Sequence, residues 1–270
     1  MRESDVKAAY EFTPGKLPLL VSIPHAGTAL TPEVEAGLND AARPLPDTDW
    51  HIPRLYEFVQ ALGASVLVGN YSRMVIDLNR PADDKPLYAT ATTGLYPDTL
   101  FDGTPTFLPG KTPSAQQRKS ALDNIWQPYH QQLQTELERL KAEHGYALLF
   151  DAHSIASRIP RLFEGKLPDL NLGTNGGRSC DALIEEHLVA CMANQKPFSW
   201  VANGRFKGGY ITRAYGNPAQ GVHAVQLELA QCNYMDEQAP FGWRYDRAAQ
   251  LQPLLEELIH TMLTGARQIA

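Results

Sequence analysis

Three cysteines in 270 residues, Cys180, Cys191 and Cys232, are too few and too scattered for a disulfide framework. None belongs to a CxxC pair, so they read as buried thiols of a reducing compartment. Long apolar runs are missing too. None approaches the ~20 residues that a membrane span needs, and the polar, acidic opening MRESDVKAAYEF has no signal-peptide core. A soluble cytoplasmic protein with no membrane partner is expected. Positive charge is short as well: 24 Lys and Arg face 30 Asp and Glu, a net charge of -6, which argues against non-specific binding to nucleic acid. An anionic small ligand is compatible only where local arginines overcome that field. There is no GxGxxG or Walker A loop, so no nucleotide cofactor is indicated, and no serine sits in a GxSxG elbow. Repeats, low-complexity tracts and a clear linker are absent.

What is present is an ordinary globular balance, 43% hydrophobic and 20% charged. LPLLVSIPH (17–25) is an apolar run of strand length that stops at a Pro-His-Ala-Gly turn. PEVEAGL reads as a short helix. DWHIPRLYEFVQALG has helical spacing through Leu55, Phe58, Val59 and Leu62, with Asp49 where an N-cap would stand and Gly63 as the stop. ASVLVGN and MVIDLN read as two further strands. The stretch from Arg80 to Pro113 reads as a long loop, rich in Pro, Thr and Gly, and such loops are usually functional or disordered. Ser114 opens a helix that reaches about Glu143. YALLFDAH is a strand, GRSCDALIEEHLVACMA a helix, HAVQLELA a strand, and a helix containing a proline closes the chain. Alternating strands and helices predict a single α/β domain over residues 1–270, with a mixed, mainly parallel sheet flanked by helices.

In open α/β sheets ligands gather at the carboxyl ends of the strands. Four predicted strands end in SIPHAG, IDLNR, FDAHS and QLELA. His25 and His153, each at a strand end, could converge on one ion, and a catalytic zinc site takes about three protein ligands from His and carboxylates. Asp47, Asp49, Asp151 and Glu228 are the carboxylates available for the third place. Asp49 is preferred because a helix start aims its side chain rigidly, while Asp151 better suits orienting His153 from behind. Asn79 and Arg80 could clamp a substrate carboxylate. Arg213 stands between Tyr210 and Tyr215 in FKGGYITRAYGNP, whose glycines would let a loop close over a small ligand. Glu228 could act as general base if it faces a metal site, or it could lie on a solvated face.

Taken together, LVSIPHAG, DTDWHI, SRMVIDLNR, FDAHS, GGYITRAYG and QLELAQ resemble the N-formylglutamate amidohydrolase family, from about Pro18 to Tyr234. The resemblance implies metal-dependent hydrolysis of N-formyl-L-glutamate to formate and L-glutamate, in histidine degradation, on a hydrolase fold like that of the zinc carboxypeptidases and aspartoacylase. It implies that His25 and His153 bind the metal, most simply zinc, that Arg73 polarises the scissile carbonyl, that Asn79 and Arg80 hold a carboxylate, and that Glu228 is the base. One departure stands out. Carboxypeptidase-type sites draw two ligands from one HxxE segment, whereas His25 is followed at the third place by Thr28. The third ligand, Asp49 or Asp47, must then come from elsewhere. Two substrate carboxylates call for two cations, for which Arg80 and Arg213 are the expected pair, with Tyr210 beside them. A related zinc hydrolase for another N-acyl amino acid or peptide, or a binding protein for an acidic ligand, are the rival readings. Oligomeric state is left open.

Overall fold

The continuous apolar runs become the middle of the sheet, as strands buried on both faces must be. In the computed structural model, which describes residues 7–86 and 93–269, seven strands form one sheet: β1 (Tyr10–Thr13), β2 (Leu19–Ile23), β3 (Ser65–Gly69), β4 (Ala147–Ile155), β5 (Leu170–Gly173), β6 (Trp200–Ala202) and β7 (Val222–Ala230). Their order is β1-β3-β2-β4-β7-β5-β6. The central pairs β3–β2, β2–β4 and β4–β7 are parallel, as is the outer pair β5–β6. β1 runs antiparallel to β3 and β5 antiparallel to β7. The expected mixed, mainly parallel sheet flanked by helices is what is found. The first six residues of the opening segment and part of the loop expected after Arg80 lie outside the described residues.

The helices are α1 (Pro32–Gly37), α2 (Ile52–Leu55), α3 (Phe58–Leu62), α4 (Ala115–Ala121), α5 (Gln127–His144), α6 (Ala182–Asn194), α7 (Tyr210–Tyr215) and α8 (Tyr245–Arg267). Each sheet face has its own core, set by residue parity along the strands. Val21, Phe150 and Leu227 pack with α2, α3, α6 and α8. Leu20, Leu149 and Ala224 pack with Tyr129, Leu133 and Leu137 of α5. Among the described residues no helix is long and apolar enough to cross a membrane.

Several elements differ from the sequence reading. MVIDLN is not a strand. Met74, Ile76 and Leu78 are buried, but Asp77 Oδ1 accepts the Asn79 N–H at 2.9 Å, an Asx-type turn that bends the chain there. DWHIPRLYEFVQALG is broken into α2 and α3. The first begins after His51, which has φ 64°, and the second ends at Gly63 with φ 99°, so Asp49 is not an N-cap. GGYITRAYG carries the short helix α7 rather than a loop. Ser114 does cap its helix through a capping box with Gln117, but a π turn at Leu122–Trp126 joins α4 to α5. The short strands β1, β5 and β6 had no expectation attached: YEFT and WVA are brief, and LNLG contains Asn and Gly, which lower strand propensity.

Candidate active site

On the α5 side of the sheet the apolar side chains give way to polar ones towards the strand ends. Strand side chains alternate, so Asp151 and His153 of β4 share a face. The parallel register sets Asp151 beside Gln226 and His153 beside Glu228 on β7. Ser22 on β2, in register with Asp151, donates to Asp151 Oδ1 at 2.9 Å. Two residues past β2, His25 brings its ring centroid to 4.9 Å from that of His153.

The two imidazoles are held alike. His25 Nε2 lies 2.7 Å from Asp77 Oδ1, and His153 Nε2 lies 2.9 Å from Asp151 Oδ2. Each Nδ1 is thereby turned towards Asp49 Oδ2, at 3.9 Å from His25 and 3.0 Å from His153. One donor atom from each of His25, Asp49 and His153 falls within 4.8 Å of the others, and all three residues are buried. Asp49 Oδ1 is buried and has no hydrogen-bond partner among the described residues. Two imidazoles, each braced at its far nitrogen by a carboxylate, with one further carboxylate carrying an unsatisfied oxygen, suit a catalytic zinc site. Asp47 faces elsewhere: its Oδ2 accepts the Phe101 N–H at 2.8 Å.

The electrostatics follow from burial and pairing. Burial alone would lower the His153 pKa, but Asp151 and Asp49 together raise it well above the ordinary imidazole value. For His25 burial prevails, helped by the Arg73 charge, and the pKa is lowered despite Asp77. Burial works against ionising Asp49, yet the hydrogen bond from His153 and the nearby charges lower its pKa. Asp77 is likewise held well below the usual carboxylate value by Arg73 and His25, against its burial. For Glu228 burial prevails and raises its pKa to about 8, with His153 and Arg73 opposing and Asp49 and Asp151 adding. Burial also raises Asp47 to about 6.

These groups form the floor of an open cavity. His25, His153, Ser154, Gln226 and Glu228 lie at its base, with Phe101, Ile155, Leu162 and Phe206 as apolar walls. Three guanidinium groups line it. Arg73 is buried, pairs with Asp77 Oδ2 at 2.7 Å, lies 3.8 Å from Asp49 Oδ1 and packs on the Phe101 ring. Arg80 is anchored by the carbonyls of Thr93 and Asn79 at 2.7 and 2.9 Å, and Arg205 by the carbonyl of Leu162 at 3.0 Å. Asn79 joins two segments: its Nδ2 donates to Asp151 Oδ2 at 3.2 Å and its Oδ1 accepts from Ile211 N at 2.8 Å. The 2.9 Å between Asn79 Nδ2 and His153 Nε2 is then a contact between two donors that share the Asp151 oxygen.

Of the residues singled out in the sequence, His25, Arg73, Asn79, Arg80, His153 and Glu228 line this cavity, with Asp49 and Asp151 directly beneath. Arg213 and Tyr210 are not in the lining. As part of α7, Arg213 turns its Nε to the Gly208 carbonyl at 2.7 Å. Arg205 does line the cavity; it was overlooked in NGRFKGG although it stands one residue before the stretch singled out, and an arginine between two glycines was the available signal. Asp77 was overlooked as the partner of His25 because it lay in an expected strand.

The family model for N-formylglutamate amidohydrolase matches residues 17–235. The N-formylglutamate deformylase of Pseudomonas aeruginosa is 60% identical over 257 residues, spanning 95% of this chain and 97% of that protein. That of Pseudomonas putida is 59% identical over 252 residues, 93% of this chain and 94% of that protein. Among solved structures, the N-formylglutamate amidohydrolase of Ralstonia eutropha JMP134 superposes with a TM-score of 0.83 at 22% identity, covering 98% of this chain and 100% of that one.

Proposed function

The chain belongs to the N-formylglutamate amidohydrolase family, and from that premise we propose that it hydrolyses N-formyl-L-glutamate to formate and L-glutamate at the cavity over His25, Asp49 and His153, as a cytoplasmic enzyme of histidine degradation. The observation that carries the site assignment is the convergence of those three donor groups beside Glu228.

His25, Asp49 and His153 would hold a divalent metal, zinc by the character of the donors, which when bound supplies Lewis acidity to the formyl oxygen and acidifies water. Asp77 and Asp151 keep each Nε2 proton engaged, so that each Nδ1 presents its lone pair. Burial favours the protonated form of Glu228, 8% exposed; the positive charge of a bound metal would favour its carboxylate, which accepts the proton of the attacking water. As the oxygen–carbon bond forms and the carbon–nitrogen bond breaks, it returns that proton to the departing glutamate nitrogen. Arg73 faces the developing negative charge, where one well-placed donor is worth on the order of 3 kcal/mol. Arg80 and Arg205 take the two carboxylates of the substrate and so fix the formyl carbon over the base. Phe101, Leu162 and Phe206 limit bulk water around the reacting groups.

Formate release from N-formyl-L-glutamate by the purified protein, before and after chelation and after zinc is restored, tests this reading. Activity should disappear on chelation and return with the metal. Formate release that survives complete removal of the metal would refute the metal-dependent mechanism.

A further inference from the structure

Asp49 is the weak point of the proposed metal site. The histidines sit on or just past strands, whereas Asp49 lies in irregular chain ahead of α2, between two residues with left-handed backbone, Leu45 (φ 56°) and His51 (φ 64°). Nothing in the local sequence aims its carboxylate. The buried backbone around it must still find partners, and two buried polar side chains from a distant segment supply them. Gln231 Nε2 donates to the Thr48 carbonyl at 2.9 Å. Tyr234 Oη lies 2.9 Å from the Trp50 carbonyl. Both are also tied to Ser154 Oγ, at 3.3 Å from Gln231 and 2.7 Å from Tyr234.

The Tyr234 hydroxyl donates, its single proton lying between two acceptors, the Trp50 carbonyl and Ser154 Oγ. Ser154 Oγ also accepts from Gln231. The chain Gln231, Ser154, Tyr234 thus ends on the two carbonyls that flank Asp49. The Ser154 N–H closes the circuit by donating to Asp49 Oδ2 at 3.2 Å, and the Asp49 N–H donates to the His25 carbonyl at 3.0 Å. All three side chains are buried, so water does not compete with these bonds. We infer that Tyr234, Ser154 and Gln231 are positioning residues for metal binding, a brace that carries Asp49 on the end of β7, the strand that bears Glu228. The brace also fixes the distance between the third ligand and the base.

This inference rests on the metal site proposed above, and the test separates the two. Zinc affinity of the full-length protein is measured by competition with a chelating dye for the wild type, Tyr234→Phe, Ser154→Ala and the double variant. Tyr56→Phe is the matched control, because the Tyr56 hydroxyl is buried without a partner among the described residues. Loss of a group that supports a metal ligand typically costs 10- to 100-fold in affinity. Tyr234→Phe and Ser154→Ala should each weaken zinc binding by about 10-fold or more. The double variant should cost little more than the larger single change, because both interrupt one network. Tyr56→Phe should bind zinc like the wild type. Wild-type affinity in both Tyr234→Phe and Ser154→Ala overturns the brace, as does full additivity in the double variant. If Tyr234→Phe does not fold, Ser154→Ala decides alone. A wild type that takes up no zinc refutes the metal reading itself and the brace with it.

Discussion

Asp49 and His153, 104 residues apart in the chain, meet with the carboxylate Oδ2 3.0 Å from the imidazole Nδ1. The opposite nitrogen of that imidazole is engaged by Asp151, so the ring has one orientation and one nitrogen to offer. His25 is arranged in the same way by Asp77. The two histidines, each braced by a carboxylate, are thus directed at one further carboxylate beside the cavity.

Removing any of the three donors should empty the site. His25→Ala, Asp49→Ala and His153→Ala are each expected to lose bound zinc and formate release while keeping a cooperative thermal transition, because a three-ligand site does not survive truncation of one ligand. Asp47→Ala should retain zinc, since that carboxylate serves the Phe101 amide. Metal analysis of the purified variants checks this, and a zinc-free Asp47→Ala with a zinc-loaded Asp49→Ala would exchange their roles.

Glu228→Gln preserves the shape of the side chain and cannot take a proton. Turnover should fall by at least about 100-fold, with zinc content unchanged. A variant that loses substrate affinity but keeps its turnover number would make Glu228 a binding group.

Arg205, not Arg213, lines the cavity. Arg205→Ala should lower kcat/KM for N-formylglutamate by about 10- to 100-fold, the worth of a hydrogen-bonded charge pair. It should matter little for N-formylglutamine, which lacks the second carboxylate. Arg213→Ala should change neither value much. Equal losses on the two substrates in Arg205→Ala would show that it does not read that carboxylate.

Gly209 lies against Asn79, and a Cβ added there would stand 2.7 Å from the Asn79 Cγ. Asn79 ties Asp151 to α7, so the methyl group of Gly209→Ala must displace it. Overpacking of this kind costs about 1–3 kcal/mol. Urea unfolding should show that loss together with reduced turnover, and an unchanged transition midpoint would mean that the neighbouring chain yields freely.

His130 should make stability depend on pH. It is buried between the Leu78 carbonyl and the Tyr215 hydroxyl, and burial lowers its pKa to about 4. Between that value and the ordinary 6.5 the unfolded chain holds a proton that the folded one does not, so stability rises with pH across this window. The contribution is intact above about pH 6.5 and is lost progressively as the pH falls to about 4, on the order of 3 kcal/mol in all. Unfolding of metal-free wild type and His130→Gln across this range should show the advantage of the wild type shrinking towards acid. A constant difference would contradict the assignment.

Residues whose orientation is local were legible in the sequence. Apolar runs as dense as LLVSI and ALLF must be central strands, and the two-residue period of a strand then puts Asp151 and His153 on one side without further information. The polar ends PH, DAH and ELA therefore revealed where a site would lie. What irregular chain does depends on long-range packing. Asp47 and Asp49 are two residues apart in a loop with no period, and the hydrogen bonds of Gln231 and Tyr234, about 180 residues onward, separate a candidate ligand from a partner of Phe101. Asp77 was hidden by an alternation of Met74, Ile76 and Leu78 that imitates a strand, because a buried turn also needs apolar residues. Arg205 and Arg213 lie in one Gly-rich stretch, and which of them faces the cavity depends on α7 forming and turning Arg213 back to Gly208. Local periodicity orients side chains on strands, and long-range packing orients them everywhere else.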